Sequence, residues 1–155
     1  MKPKGYLGID PGQSGAAAIL DHYGKWGAHL RFSKLTESEI ANWFADQNQA
    51  WSLLARLEQV HSMPKQGVAS AFKFGRSAGL LLGILASCGI PFEYVTAGVW
   101  QRKMRCLSKG NKAVTRAAAQ RLFSGDIDFR ITDHEADALL IAEYCRRTAL
   151  GLGFG

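Results

Sequence analysis

Three short apolar runs separated by turns open the chain, and they constrain its fold more than any other feature. Tyr6 to Asp10 reads as a strand, Pro11-Gly12-Gln13-Ser14-Gly15 as a turn and Ala16 to Leu20 as a second strand, so the pair forms a hairpin. A third strand, Gly27 to Phe32, follows the turn at His22 to Lys25. From there helices and strands alternate. Thr36-Glu37-Ser38-Glu39 is a capping box that opens an amphipathic helix through Ile40, Trp43 and Phe44. Trp51 to Leu57 is an apolar run with the character of an interior strand and ends at Glu58, although Arg56 inside it has no explanation at this level. Past a loop with Pro64 and Gly67, a helical pattern runs from about Ser70 to Cys88 and is stopped by Gly89 and Pro91. Phe92 to Val95 reads as a strand, Thr96 to Met104 as a short helix and Arg105 to Gly110 as a basic loop. Lys112 to Phe123 and Thr132 to Leu150 are the last two helices. Hairpin strands first and α/β alternation after them predict an α/β fold: a mixed five-stranded sheet, three antiparallel strands then parallel ones, with helices on both faces.

The 155 residues suit a single domain, placed at 1–150, with the glycine-rich 151–155 expected to fray as a disordered tail. A chain of this size needs neither disulfide nor structural metal to stand. Cys88, Cys106 and Cys145 are odd in number, far apart and without a C-x-x-C pair, so they read as reduced thiols of a cytoplasmic protein. The longest apolar stretch, Ala78 to Ile90, is too short to span a bilayer, and no membrane association is expected.

The net charge of +6 is unevenly spread. Between Gln59 and Gly125 stand ten basic residues and one acid, Glu93, a net of +9, whereas the remainder carries a net of −3. A basic middle flanked by acid-bearing ends suits a nucleic-acid groove around a metal site, and equally a solvated basic surface with no partner.

The acids sit where elements end. Asp10 closes the first strand before a Pro-Gly turn, and Glu58 closes the interior strand. A carboxylate at the end of an apolar strand is costly unless solvated, paired or bound to a cation. Thr132-Asp133-His134-Glu135-Ala136-Asp137 starts the last helix with another capping box, Thr132 with Glu135, which accounts for Glu135 and the early acids through the helix dipole. It leaves Asp137 unexplained, since Ala-Leu-Leu-Ile-Ala follows on a helix apolar enough to be buried. His134 shares a face with Asp137 at i, i+3 and Asp133 does so at i, i+4, so spacing does not choose between them. Oxygen and imidazole ligands from three segments suit hard divalent cations, Mg²⁺ or Mn²⁺, better than zinc.

Gly8-Ile9-Asp10-Pro11-Gly12, Leu57-Glu58-Gln59-Val60, the helix Ser70-Ala71-Phe72-Lys73-Phe74-Gly75-Arg76-Ser77-Ala78-Gly79, and Ala136-Asp137-Ala138-Leu139 with Ile141-Ala142 occur in one order across about Gly5 to Tyr144. In that order they resemble the RuvC-type Holliday-junction resolvases of the RNase H-like superfamily. The resemblance implies a crossover junction endodeoxyribonuclease of DNA recombination and repair, a homodimer that resolves branched DNA by paired symmetrical nicks. It makes Asp10, Glu58 and Asp137 catalytic carboxylates holding two Mg²⁺ or Mn²⁺ ions, which activate a water and stabilise the departing 3′ oxygen. The fourth ligand position falls on His134, where some members carry aspartate. Lys112 lies where the family has a lysine near the scissile phosphate, to stabilise developing charge. His61 stands where members often place an aromatic wedge. Lys65, Lys73, Arg76, Arg102, Lys103, Arg105, Lys109 and Arg116 would then hold the DNA backbone. An RNase H-like nuclease of RNA or RNA:DNA hybrids would share these acids, and a catalytically inactive DNA-binding protein would share the basic middle. A sugar-kinase-like ATPase, which also opens with Asp-x-Gly, needs two such domains and is excluded by length.

Overall fold

The computed structural model describes residues 1–61, 64–126 and 130–155. The chain runs β1 (Lys4–Asp10), β2 (Ala16–Leu20), β3 (Trp26–Arg31), α1 (Glu37–Ala50), β4 (Ser52–Gln59), α2 (Val68–Cys88), β5 (Phe92–Thr96), α3 (Ala97–Lys103), α4 (Lys112–Leu122) and α5 (Asp133–Leu150). The sheet has the order β3-β2-β1-β4-β5. β2 pairs antiparallel with β1 and β3, while β1–β4 and β4–β5 are parallel. This is the RNase H-like mixed sheet that the order of elements predicts.

Side-chain alternation sorts the sheet into two cores. Leu7 and Ile9 of β1 and Leu53, Ala55 and Leu57 of β4 pack on one face beneath α1 and α2. Ala16, Ala18 and Leu20 of β2 pack on the other with Trp100, Leu139 and Ile141 of α3 and α5. Two-residue periodicity then turns Gly8 and Asp10 of β1, and Arg56 and Glu58 of β4, toward α5. Gly8 is the point of closest approach: a Cβ there would collide with the Ala138 carbonyl and the Ala142 amide of α5. The small residues of that helix face, Ala138 and Ala142, are fully buried.

Local signals explain the helix ends. Both capping boxes form: Thr36 Oγ1 accepts from the Glu39 amide while the Thr36 amide donates to Glu39, and Thr132 and Glu135 repeat the pattern. Gly89 and Gly151 end α2 and α5 in the left-handed region, at φ 65° each, which a glycine enters without strain. Beyond Gly151 the chain folds back, with Phe154 against Tyr144 and the cations of Lys103 and Arg147 over its ring. Arg56, inexplicable in an apolar strand, is buried with its Nη2 2.9 Å from Glu93 Oε2 on β5, the residue opposite it in register. Glu93, the single acid of the basic middle, is therefore already neutralised.

The pattern begun at Ser70 extends back to Val68, giving α2 21 residues. By length and composition it is the one helix among the described residues that would reach across a bilayer, yet Leu81, Ile84 and Leu85 are spent on the sheet. Its other side carries exposed Val68 and Phe72 and a file of glycines, Gly75, Gly79 and Gly83, beside which a Cβ would meet nothing.

The two kinds of glycine should respond oppositely to alanine. Gly8→Ala is expected to cost about 3 kcal/mol or more, because backbone atoms of α5 must move. Gly79→Ala should add roughly 0.5–1 kcal/mol by restricting the unfolded chain and favouring helix. Urea denaturation of both variants checks this, and a Gly8→Ala protein of wild-type stability would mean that α5 does not lie on β1 as described.

Candidate active site

The strand ends and α5 bring the predicted acids together. Ile9 stands opposite Leu57 in the parallel pair β1–β4, so Asp10 and Glu58 are neighbours one strand spacing apart, about 4.8 Å, on the α5 side of the sheet. α5 lies over that point and directs Asp137, 2% exposed, and His134 at the same place. α4 follows the basic loop 105–110, is capped by Asn111, and sets Lys112 in its first residue against α5.

Each carboxylate has found a donor from this chain. Lys112 Nζ donates to Asp137 Oδ2 at 2.6 Å, His134 Nδ1 lies 2.8 Å from Asp10 Oδ2, and Trp100 Nε1 donates to Glu58 Oε2 at 2.7 Å. Asp137 Oδ1 is buried and has no hydrogen-bond partner among the described residues. Electrostatics show the strain of this crowding. Burial pushes the Glu58 carboxyl up from an ordinary 4.5 to about 7, and the Asp10 charge beside it pushes the same way. Burial also raises Asp10, with Asp137 adding to the effect against the hydrogen bond from His134. That same bond to Asp10 holds the His134 imidazole above its usual value. Burial works against the charge of Lys112, but its bond to Asp137 and the combined field of Asp137, Asp10 and Glu58 outweigh it and raise the ammonium pKa.

The two early residues of α5 that share a face with Asp137 meet different partners. Asp133 turns away and pairs with Arg116 at 3.2 Å, whereas His134 faces Asp10. The N-cap of α5 is Thr132, so Asp133 is not the capping residue either. With the side chains as they stand, no group of three or more His, Cys, Asp or Glu among the described residues is gathered to hold one metal ion, and the lysine and the indole occupy part of the carboxylates' coordination capacity. The donor set still fits a hard cation: three carboxylates, one with a buried unshared oxygen, and an imidazole.

The other expected residues fall in four places on the surface. Lys73 and Arg76 line a groove of about 750 Å³ between α2 and the turns after β1 and β3, where Arg76 Nη2 pairs with Glu37 at 2.8 Å. Arg102, Lys103, Arg105 and Lys109 are exposed on α3 and the loop after it, with Arg105 and Lys109 both at positive φ. His61 and Lys65 are exposed beyond β4, and Arg116 stands on α4 beside Asp133. Trp100 was missed by sequence reading. It is fully buried, and its contact with Glu58 joins residues 42 positions apart, which no local signal encodes. His29, which reads from sequence as an ordinary strand residue, and Arg31, both on β3, lie 3.2 Å and 2.8 Å from Oε1 of the buried Glu135.

No protein-family model matches the chain, and no curated protein matches it in sequence. Solved structures do match in fold. Thermus thermophilus RuvC in complex with a Holliday junction substrate superposes with a TM-score of 0.66 at 15% identity, covering 97% of this chain and 98% of that one. A second Thermus thermophilus RuvC structure gives a TM-score of 0.60 at 14% identity over 95% and 96%. At such identities the likeness establishes the RuvC/RNase H-like fold alone, over 97% and 95% of the chain.

The raised Glu58 pKa has a measurable consequence in chelator. Folded Glu58 keeps a proton that the unfolded chain has already lost, so its contribution to stability is complete below about pH 4.5 and disappears as pH rises through about 7. Glu58→Gln, whose amide oxygen can still accept from Trp100, escapes that loss. Relative to wild type it should gain on the order of 3 kcal/mol between pH 4.5 and pH 8 in metal-free urea titrations. A pH-independent difference would show that the carboxylate is not crowded as described.

Proposed function

We propose that this chain is an RNase H-like nucleic-acid enzyme that hydrolyses phosphodiester bonds with divalent cations held by Asp10, Glu58 and Asp137. The observation that carries the reading is the buried, unpartnered Asp137 Oδ1 beside two further carboxylates whose charges repel each other. Such a cluster destabilises the fold unless positive charge arrives, and the basic segment 59–125 supplies a partner for a polyanion. Bound there, Mg²⁺ or Mn²⁺, two ions per site in our reading, would activate water and stabilise the leaving oxygen. Asp10, Glu58 and Asp137 hold that charge in place. His134, already against Asp10, orients that carboxylate or joins the ligand set. Lys112, whose ammonium is inside the cluster, is free to meet a phosphate oxygen once a cation takes its place on Asp137.

Fold likeness supports this broad class. Within it we place branched DNA, and the four-way junction in particular, as substrate, with an RNA or RNA:DNA hybrid nuclease as the nearest rival. The junction reading asks for a two-fold homodimer making paired cuts, and the outward face of α2, with Phe72 and its open glycines, offers a surface for close approach of a second copy. Reduced thiols suit the cytoplasm: Cys106 and Cys145 are buried, and burial pushes them up to about 11 and about 12. A second reading, a nucleic-acid-binding protein that does not cut, is favoured by one observation, the seating of Lys112 on Asp137 where a cation would bind.

Labelled four-way junction, linear duplex and RNA:DNA hybrid, each with Mg²⁺, Mn²⁺ or chelator, separate these readings. Metal-dependent paired nicking of the junction is expected. Hybrid cleavage alone would move the substrate to RNA, and tight binding without cleavage under all metals would leave a silent binder. Asp10→Asn, Glu58→Gln and Asp137→Asn should each lower the cleavage rate by at least about a hundredfold and leave binding intact, because the basic surface holds the strand. Lys112→Ala should reduce single-turnover rate far more than affinity. His134→Ala should slow cleavage without unfolding the chain, and Asp133→Ala should not slow it.

A further inference from the structure

The charge count places the basic surface between Gln59 and Gly125, but the fold builds a second basic site in which two arginines from outside that segment join one from within it. Arg31 at the end of β3, Arg116 on α4 and Arg130 before α5 line one open cavity of about 470 Å³ together with Ile131, Thr132 and Asp133. Two of the three guanidiniums are fixed. Arg31 Nε lies 2.8 Å from Oε1 of Glu135, which is wholly buried, and its Nη2 donates to the Arg130 carbonyl at 2.9 Å. Arg116 Nη1 lies 3.2 Å from Asp133 Oδ1. The guanidinium of Arg130 is exposed and has no partner among the described residues.

These contacts consume few of the donors. A guanidinium has five N–H groups in a planar fork, so each arginine keeps N–H groups free for a tetrahedral anion. The carboxylates of Asp133 and Glu135 offset two of the three positive charges, leaving the cavity a net positive charge. His29, on the far side of Glu135, is pushed below its ordinary value by burial and adds no charge near neutrality. A phosphodiester, with one negative charge and two unesterified oxygens, matches both the residual charge and the fork geometry.

Location ties the cavity to the carboxylate cluster. Asp10 pairs with Ala16 and Ala16 with Arg31, so the three lie in a row across β1, β2 and β3. Two strand spacings set the Arg31 and Asp10 backbones about 10 Å apart. Asp133, in the cavity, and His134, against Asp10, are consecutive in α5. We propose that Arg31, Arg116 and Arg130 bind one backbone phosphate of the nucleic-acid strand, neighbouring the phosphate presented to Asp10, Glu58 and Asp137. The assignment rests on the nucleic-acid reading above and adds to it the residues that set the strand's register.

The test uses metal-free protein, a fluorescent four-way junction and a salt series. Arg130→Ala and Arg116→Gln should each weaken binding about three- to tenfold and flatten the plot of log K against log[salt] by roughly 0.9, one phosphate contact, with unchanged melting temperature. Arg31→Lys keeps the charge and loses the fork, so it should weaken binding with the slope preserved. Single methylphosphonates walked along the strand should reveal one position that weakens wild type and has little further effect on Arg130→Ala. Wild-type affinity and slope in both Arg130→Ala and Arg116→Gln, or a methylphosphonate penalty undiminished in both, overturns the cavity while leaving the functional reading intact. If wild type binds no nucleic acid but inorganic phosphate raises its melting temperature and Arg130→Ala abolishes the rise, the cavity is a free-anion site and both assignments fall.

Discussion

The contact between Gly8 and α5 is the constraint on which the rest of the structure depends. A strand and a helix can come backbone to backbone only where neither presents a side chain of any size, and here Gly8 meets Ala138 and Ala142. That proximity brings the first turns of α5 down to the level of the β1 terminus. Asp137 and His134 then reach Asp10, and α4, packed on α5, delivers Lys112 to the same spot. A larger residue at Gly8 would lift the helix and open the cluster before it disturbed any charged group directly.

Crowding carboxylates in this way has an electrostatic cost, and the chain meets it with three unlike donors. An ammonium, an imidazole and an indole N–H each cap one acid, and they differ in how readily they yield. The indole of Trp100 is locked in the core and cannot leave Glu58. Lys112 is nearly half exposed and has a flexible stem, so its bond to Asp137 is the one most easily exchanged for another cation. The second oxygen of Asp137 is buried with no hydrogen-bond partner among the described residues, since the lysine satisfies only one side of the carboxylate.

Charge elsewhere is organised by pairing rather than by run length. Arg56 is buried against Glu93, Arg76 is held by Glu37, and Arg116 is held by Asp133, so a tally along the chain misjudges which basic groups are available. Arg31 and Arg130 fall outside the basic segment yet share a cavity with Arg116, because β3 and the start of α5 meet at one edge of the sheet.

Local sequence was sufficient for the elements and for the acids that end them. Hairpin turns, two-residue alternation, capping boxes and terminal glycines act over a few residues, which is why the strands, the helices and their order could be read directly. β4, however, continues past the expected end, so Glu58 lies inside the strand rather than closing it. Motif order pointed to Asp10, Glu58, Asp137, His134 and Lys112, and the fold brings all five to one place. Local spacing did not separate Asp133 from His134, because residues three and four apart share a helix face; the separation came from what each side chain meets across space, Arg116 for one and Asp10 for the other. The same holds for Arg56 with Glu93, Trp100 with Glu58 and the three arginines of the cavity. Partners between 17 and 124 positions apart in the chain are chosen by strand register and helix packing. The sequence determined the acid and base types and the elements that carry them, and only tertiary packing decided which charges would face one another and which would be neutralised.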